Sequence, residues 1–192
     1  RTPMNDWHLK NKAEFENVGQ WKRAWYYPIN GESMHEAVQR ESKAARDSAG
    51  ILDASTLGKI DIQGSDASEF LNRVYTNAWS KLPIGKCRYG LMLNEDGMVY
   101  DDGVTTRLDE NHYIMTTTTG GAANVMNKLE DYLQTEWPEL EVYLTSVTDH
   151  FATVSICGPN SRKILSKVIP ELDVSGKNFP HMSFKNTKIG KI

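Results

Sequence analysis

RYGLMLNEDGMVYDDG, residues 88–103, is the stretch of sequence that decides the fold. Apolar residues lead to Leu93, an Asn-Glu-Asp-Gly turn fills 94–97, and apolar residues return from Met98. The Asp-Gly pair supplies a residue that tolerates positive φ, which is typical of a tight connection between antiparallel strands. The stretch therefore predicts a β-hairpin whose second strand ends on Asp101 and Asp102.

The adjacent carboxylates of Asp101 and Asp102 are the first candidates for chemistry. Side chains alternate along a strand, so the two aspartates point to opposite faces, and one can face a pocket while the other meets solvent. A carboxylate on an apolar strand is costly to bury unless it is hydrogen-bonded or used. Because Asp102-Gly103 is also a common turn pair, a turn or capping role for both aspartates stays open on the pattern alone.

The segments around the hairpin alternate between helices and strands. Ser33 and Glu36 form a capping-box pattern that predicts a helix to about residue 48. Ser65 is placed to cap a second helix. Ile60 and Ile62 alternate with polar neighbours and predict a half-buried strand over 57–63. Further strands are predicted over 113–117, 141–147 and 152–157. Further helices are predicted over 122–133 and from Gly158-Pro159-Asn160-Ser161 to about Val168, with Pro159 placed well for the first turn.

This order of elements predicts an α+β fold with mainly antiparallel sheets flanked by helices. Residues 1–30 are rich in aromatic side chains and read as irregular. We expect them to pack on a domain formed by residues 31–192.

Composition narrows the classes of function. The net charge of −3 and the pI near 6.0 give no electrostatic support for binding nucleic acid. No apolar run approaches the roughly 20 residues of a membrane span, and no signal peptide is visible, which predicts a cytoplasmic location without membrane contact. The five histidines show no His-x-x-x-His spacing, so no metal site is predicted.

The loop Thr118-Thr119-Gly120-Gly121 allows two interpretations. Its backbone N–H groups, placed just before a predicted helix, could bind an anion. Alternatively, it is a strand-to-helix turn in which threonine caps the helix. The threonines at 116–119 could also present hydroxyl groups to a polar ligand.

Four segments carry a resemblance to a known family. DASTLGK at 53–59, YGLMLN at 89–94, GMVYDD at 97–102 and GPNS at 158–161 occur in this order. Together they resemble the tetrahydrofolate-binding aminomethyltransferases, which include the T-protein of the glycine cleavage system. GQWKRAWYYP at 19–28 and LQTEWPEL at 133–140 are in addition similar to the α subunits of heterotetrameric sarcosine oxidases, and this second resemblance covers essentially the whole chain.

The resemblance implies both a fold and a mechanism. A flavin on a partner subunit oxidises sarcosine to an imine, and tetrahydrofolate on this chain captures the one-carbon unit as 5,10-methylenetetrahydrofolate. In this family the first aspartate of the Asp-Asp pair faces the folate nitrogens, which makes Asp101 the candidate catalytic residue. A carboxylate there can orient the amine, accept its proton and stabilise positive charge.

The candidate folate-binding residues lie on the same segments. Tyr89 matches the family's pocket tyrosine, and Leu57 and Met92 fall on positions that line the pterin slot. Val99, Thr117 and Thr118 complete the candidate set.

Two features of these relatives are absent from the 192 residues. The segment of Gly-Tyr-Thr-Gly-Glu type, whose glutamate anchors the pterin ring, is expected past Ile192, so we expect this chain to be a piece of a longer polypeptide. Dinucleotide-binding motifs are missing as well. FAD, FMN and NAD are therefore expected only in the full complex, with the other sarcosine oxidase subunits, and the piece alone is expected to be inactive as an oxidase.

Three alternative functions stay open. A free-standing T-protein would act on a lipoyl-bound aminomethyl group, and a dimethylglycine-dehydrogenase-like folate domain would share the hairpin. A folate-binding scaffold without catalysis is the third alternative. WKRAWYY at 21–27 favours the sarcosine oxidase relationship, and the presence of Asp101 argues against the scaffold.

Overall fold

The computed structural model describes residues 1–190 and consists of helices and antiparallel sheets. All strand pairs in this part of the chain are antiparallel, which confirms the predicted α+β class. The helices are α1 (Asn5–Lys10), α2 (Met34–Asp47), α3 (Ala67–Val74), α4 (Ala122–Asp131) and α5 (Ser161–Val168). The strands are β1 (Glu14–Val18), β2 (Trp21–Tyr26), β3 (Gly50–Asp53), β4 (Gly58–Gln63), β5 (Cys87–Leu93), β6 (Val99–Asp109), β7 (His112–Thr117), β8 (Tyr143–Ser146) and β9 (Val154–Cys157).

The chain divides into two compact units. The first unit comprises residues 1–56, residues 149–179 and residues 186–190, and it contains the β1–β2 hairpin and the β3–β9 pair. The second unit comprises Leu57–Thr148 and Pro180–Lys185 and contains a five-stranded sheet in the order β5-β6-β7-β4-β8. The predicted boundary at residue 30 stays a prediction.

The core of the second unit packs α3 and α4 on one face of this sheet. Alternate residues of β4 and β7 contribute to it, together with apolar residues spaced along both helices, and its fully buried members include Ile62, Phe70, Leu71, Met115, Val125 and Leu129. Each such side chain contributes about 1.5–3 kcal/mol relative to an exposed one. This packing fixes the sheet whose strands carry the candidate site.

The predicted hairpin forms between β5 and β6. The Asn94 N–H donates to the Met98 carbonyl over 2.8 Å, and Gly97 adopts a φ of 80° that glycine alone accepts without strain. The expectation that the second strand ends at the aspartates is wrong, because β6 runs on to Asp109. Gly103 pairs with Gly90 inside the sheet, so Asp102-Gly103 is not a turn.

The expectation that the N-terminal segment is irregular is wrong. It contains α1 and the β1–β2 hairpin, which turns at Gly19 with a φ of 57°. An ion pair across this hairpin joins the Arg23 guanidinium to the Glu16 carboxylate over 2.6 Å. The hairpin depends on the two-residue turn Gly19-Gln20, which the sequence analysis did not recognise among the many aromatic residues of this segment.

Two local expectations for the helix starts have opposite outcomes. The capping box before α2 is confirmed, because the Ser33 hydroxyl accepts from the Glu36 N–H and the Glu36 carboxylate accepts from the Ser33 N–H. The cap by Ser65 is wrong. Asp66 occupies the N-cap of α3, and the Ser65 hydroxyl donates instead to the Glu141 carboxylate.

One burial pattern and one helix boundary differ in part from prediction. The half-buried strand predicted over 57–63 forms as β4, with Ile60 and Ile62 buried, Asp61 half-buried and Gln63 exposed, but Lys59 on the polar face is only 3% exposed. The helix predicted to residue 133 ends at Asp131 and continues as a single π-helical turn, Tyr132–Glu136.

None of the helices within residues 1–190 combines the length and the apolar character that a membrane crossing requires. The cytoplasmic location stays a prediction.

Candidate functional site

Asp101 lies in the middle of the second unit, on β6, and is only 4% exposed. It is paired with Met92 of β5, whose side chain belongs to the buried core. Since directly paired residues share a face, the Asp101 carboxylate projects from the face of the sheet that packs against the helices. A carboxylate in this position needs hydrogen-bond partners.

Thr118 supplies those partners. Its hydroxyl donates to Oδ1 of Asp101 over 2.7 Å, and its backbone N–H donates to Oδ2 over 3.2 Å. The same hydroxyl oxygen accepts from the Gly121 N–H over 3.1 Å. The capping interpretation holds only in part, because Gly121 is the N-cap of α4 and no side chain caps it, and the binding of a ligand anion stays a prediction. The loop offers an N–H group to an anion, the carboxylate of Asp101, and threonine satisfies an N–H group at the start of α4.

Gly121 is placed where a larger residue would disturb this arrangement. A Cβ atom on Gly121 would lie 2.7 Å from Oγ1 of Thr118 and 3.0 Å from Oδ1 of Asp101. The carboxylate therefore sits close to the N-terminus of α4, where the aligned peptide dipoles favour negative charge.

Asp102 occupies the opposite face of β6. Its carboxylate accepts a hydrogen bond from the Tyr89 hydroxyl, and this bond raises the pKa of Tyr89 above its ordinary value. Tyr89 is 50% exposed and pairs with Val104, so its side chain shares the face of Asp102 and not that of Asp101. The structure thus separates Tyr89 from the aspartate with which the sequence grouped it.

The other predicted folate-binding residues lie on several segments of the second unit. Met92 pairs with Asp101, and Thr117 directly precedes Thr118. The Thr117 hydroxyl donates to the Thr118 carbonyl over 2.9 Å. Val99 is exposed on β6, two residues before Asp101. Leu57 is half-buried, and its carbonyl accepts from the Lys59 ammonium over 2.8 Å.

Tyr75 is a site neighbour that the sequence did not indicate. It is buried and joined to Met92 by an isolated β-bridge. Burial, with a smaller contribution from the charges of Asp101 and Asp102, raises the pKa of Tyr75 well above 10.0. Its hydroxyl therefore stays protonated next to the aspartates. No periodicity or motif distinguishes Tyr75, so only the folded sheet could identify it.

A second buried polar cluster lies within the first unit. Nε2 of His8 lies 2.8 Å from Oδ2 of Asp53, and Nδ1 lies 2.6 Å from the Tyr27 hydroxyl. Burial alone would raise the pKa of Asp53, but hydrogen bonds from His8, Ser55 and Thr2 outweigh it and hold the pKa below its ordinary value of 3.8. The cluster ties α1 to β3 within this unit.

The Asp53 carboxylate should make stability depend on acidity. A carboxyl group whose pKa is lowered by folding stabilises the protein fully above its ordinary pKa, and this contribution is lost as the pH falls through the lower pKa of the folded state. Asp53→Asn cannot take up that proton. Its unfolding temperature should therefore fall less between about pH 5 and about pH 3 than that of the unchanged protein. Parallel curves from scanning calorimetry would contradict this assignment.

No group of three or more histidine, cysteine, aspartate or glutamate side chains in residues 1–190 is arranged to hold a metal ion.

Comparison with known proteins adds three findings. Residues 4–192 match the GCVT N-terminal domain. Sarcosine oxidase subunit alpha of Corynebacterium sp. (strain U-96) is 59% identical over 188 residues, which cover 98% of this chain and 20% of that protein. The aminomethyltransferase of Chlorobium phaeovibrioides is 30% identical over 90% of this chain and 44% of that protein.

The fold is also similar to that of a solved structure. The glycine cleavage system aminomethyltransferase T from Bartonella henselae aligns with a TM-score of 0.75 at 26% sequence identity. The alignment covers 86% of this chain and 42% of that protein. The chain therefore spans about a fifth of the sarcosine oxidase relative and less than half of the two aminomethyltransferases.

Proposed function

The chain belongs to the family of GCVT N-terminal domains, and from this membership we propose that it binds tetrahydrofolate as part of a sarcosine oxidase α subunit. There it captures the one-carbon unit of oxidised sarcosine as 5,10-methylenetetrahydrofolate. The high identity to a sarcosine oxidase subunit alpha across 98% of the chain supports this assignment over the other members of the family.

The observation that carries the proposal is the buried carboxylate of Asp101. Its two hydrogen bonds from Thr118 use two of the about four acceptor positions that a carboxylate offers. The remaining positions can receive N–H groups of a ligand. A carboxylate that is buried, oriented and still able to accept protons suits chemistry at an amine better than a purely structural role.

The apolar residues near Asp101 are proposed to receive the flat ring of the folate. Met92 and Val99 are apolar and lie near Asp101 along the hairpin, and Leu57 is half-buried within the same unit. Bound tetrahydrofolate would supply the nucleophilic nitrogens. In this proposal Asp101 accepts the proton that such a nitrogen loses and stabilises the positive charge of the reacting centre. Thr117 stays a proposed polar contact, whereas Tyr89 projects from the opposite face of the sheet and is not assigned a contact with the ring at Asp101.

The oxidation itself is assigned to other parts of the assembly. We propose that FAD, FMN and NAD are held outside these residues and that a flavin-bearing subunit delivers the one-carbon unit. Cofactors of this kind carry the hydride chemistry that side chains cannot perform.

A product partition tests the function. The complex that contains this chain is given sarcosine and oxygen, with formaldehyde dehydrogenase present to intercept free formaldehyde. With saturating tetrahydrofolate, most of the one-carbon unit should appear as 5,10-methylenetetrahydrofolate, and without it as formaldehyde. If the dehydrogenase intercepts all of the one-carbon unit in both cases, the capture function is wrong.

The similarity to aminomethyltransferases favours a second candidate function, transfer of an aminomethyl group from a lipoyl carrier to tetrahydrofolate. That reaction consumes no oxygen. The protein would release ammonia from an aminomethylated lipoyl protein, and sarcosine would not be a substrate.

A further inference from the structure

Resting on the proposed function, we infer that Thr118 is a positioning residue, which acts through Asp101 by holding its carboxylate in one orientation. This role differs from the direct contact with folate that the sequence assigns to Thr118.

The direction of the Thr118 hydroxyl proton carries the inference. A hydroxyl group has one proton to donate and two lone pairs with which to accept. Because Oγ1 of Thr118 accepts from the Gly121 N–H over 3.1 Å and lies 2.7 Å from Oδ1 of Asp101, its proton is directed to the carboxylate. The Thr118 N–H binds Oδ2 at the same time. Two donors from one residue, one to each oxygen, fix the carboxylate plane.

The surroundings of Thr118 make this contact rigid. Thr117 is buried, and its hydroxyl holds the Thr118 carbonyl over 2.9 Å. Gly58 allows this close packing, since a Cβ there would lie 2.1 Å from Oγ1 of Thr117. The loop before α4 is therefore anchored on the side of Thr117 and on the side of Gly121.

The two residues differ in exposure. Thr118 is exposed, whereas Asp101 is buried and depends on protein donors for its orientation. A general base acts efficiently only when its geometry is held, and a displaced base lowers the rate of the chemical step.

Substitutions in the intact complex test this role. Thr118→Val keeps the shape and removes the hydroxyl, and Thr118→Ser keeps the hydroxyl. We expect Thr118→Val to lower kcat for 5,10-methylenetetrahydrofolate formation by roughly 10- to 100-fold, the effect of one lost hydrogen bond to a charged group. Thr118→Ser should keep kcat within about threefold of the value for the unchanged protein. In both variants KM should also stay within about threefold of that value for the unchanged protein. Thr145→Val, on the exposed side of β8, is the matched control and should leave kcat unchanged.

A double-mutant cycle and a binding measurement complete the test. In an Asp101→Asn background, Thr118→Val should lower the rate by less than about twofold, because the group it positions is already disabled. Calorimetric titration with 5-formyltetrahydrofolate should give a Kd within about threefold of that of the unchanged protein. Additive rate losses, or a large loss of affinity in Thr118→Val, would show direct ligand contact and overturn the inference. A normal rate in Asp101→Asn would instead overturn the role of Asp101 in the proposed function.

Discussion

Asp101→Asn should lower the formation of 5,10-methylenetetrahydrofolate by roughly 10²–10⁴-fold, the range typical of a lost general base. Asparagine keeps the shape of the side chain and can still accept from Thr118 through its amide oxygen. It has neither the negative charge nor the capacity to accept the proton of an attacking amine. The one-carbon unit should therefore leave as formaldehyde. The measurement is the ratio of trapped formaldehyde to 5,10-methylenetetrahydrofolate with saturating tetrahydrofolate.

Asp102→Asn provides the matched control for this result. It makes the same chemical change one residue later, on the opposite face of β6, where the carboxylate binds the Tyr89 hydroxyl. We expect its product ratio to stay within about threefold of that of the unchanged protein. If the Asp101 variant keeps a normal ratio, Asp101 is structural. If the Asp102 variant shows the larger loss, the two aspartates have been assigned the wrong way round.

The hairpin illustrates how far local sequence determines structure here. The Asn-Glu-Asp-Gly turn and the antiparallel pairing follow from local preferences, and both were predicted. The length of the second strand did not follow, because local preference makes an Asp-Gly pair more typical of a turn than of a strand. Gly103 stays in the sheet because it lies between Gly90 of β5 and the Thr116 carbonyl of β7, and this neighbourhood exists only once three strands are assembled.

The separation of Tyr89 from Asp101 has a physical cause in the same hairpin. Leu93 pairs with Val99, and continuing that register would place Tyr89 opposite Gly103, on the face of Asp101. A bulge in β6 adds one residue, Tyr100, opposite the step from Met92 to Leu93, so Met92 pairs with Asp101 and Tyr89 moves to the other face. A bulge of this kind leaves no signal in the sequence.

The contact between Asp101 and Thr118 depends on the assembled sheet in the same way. The sequence marked both residues separately, one as a costly carboxylate and the other as part of a possible anion-binding loop. Their meeting requires β6 and β7 to pair in the observed register, with α4 beginning directly after the loop. The types of residue in the site were predictable, whereas their partners were not.

Gly103→Ala should be strongly destabilising, by about 3 kcal/mol or more, since forced overpacking usually costs 1–3 kcal/mol even where side chains can move aside. Here the added methyl group would meet the backbone of β7, which cannot move aside as a side chain can. A Cβ on Gly103 would lie 1.9 Å from the carbonyl oxygen of Thr116 and 2.8 Å from its carbonyl carbon. Relief therefore requires β6 and β7 to move apart, which would also pull Thr118 away from Asp101. The unfolding temperature should fall by roughly 12–24 °C for a unit of this size, as measured by scanning calorimetry.

Gly120→Ala is the matched control, because a Cβ on Gly120 meets nothing within 4 Å and its φ is not in the left-handed region. It should change stability by no more than about 0.5 kcal/mol. Equal unfolding temperatures for the two variants would mean that the sheet can absorb a methyl group at this point, and that the close approach of β6 to β7 does not hold the aspartate and the threonine loop together.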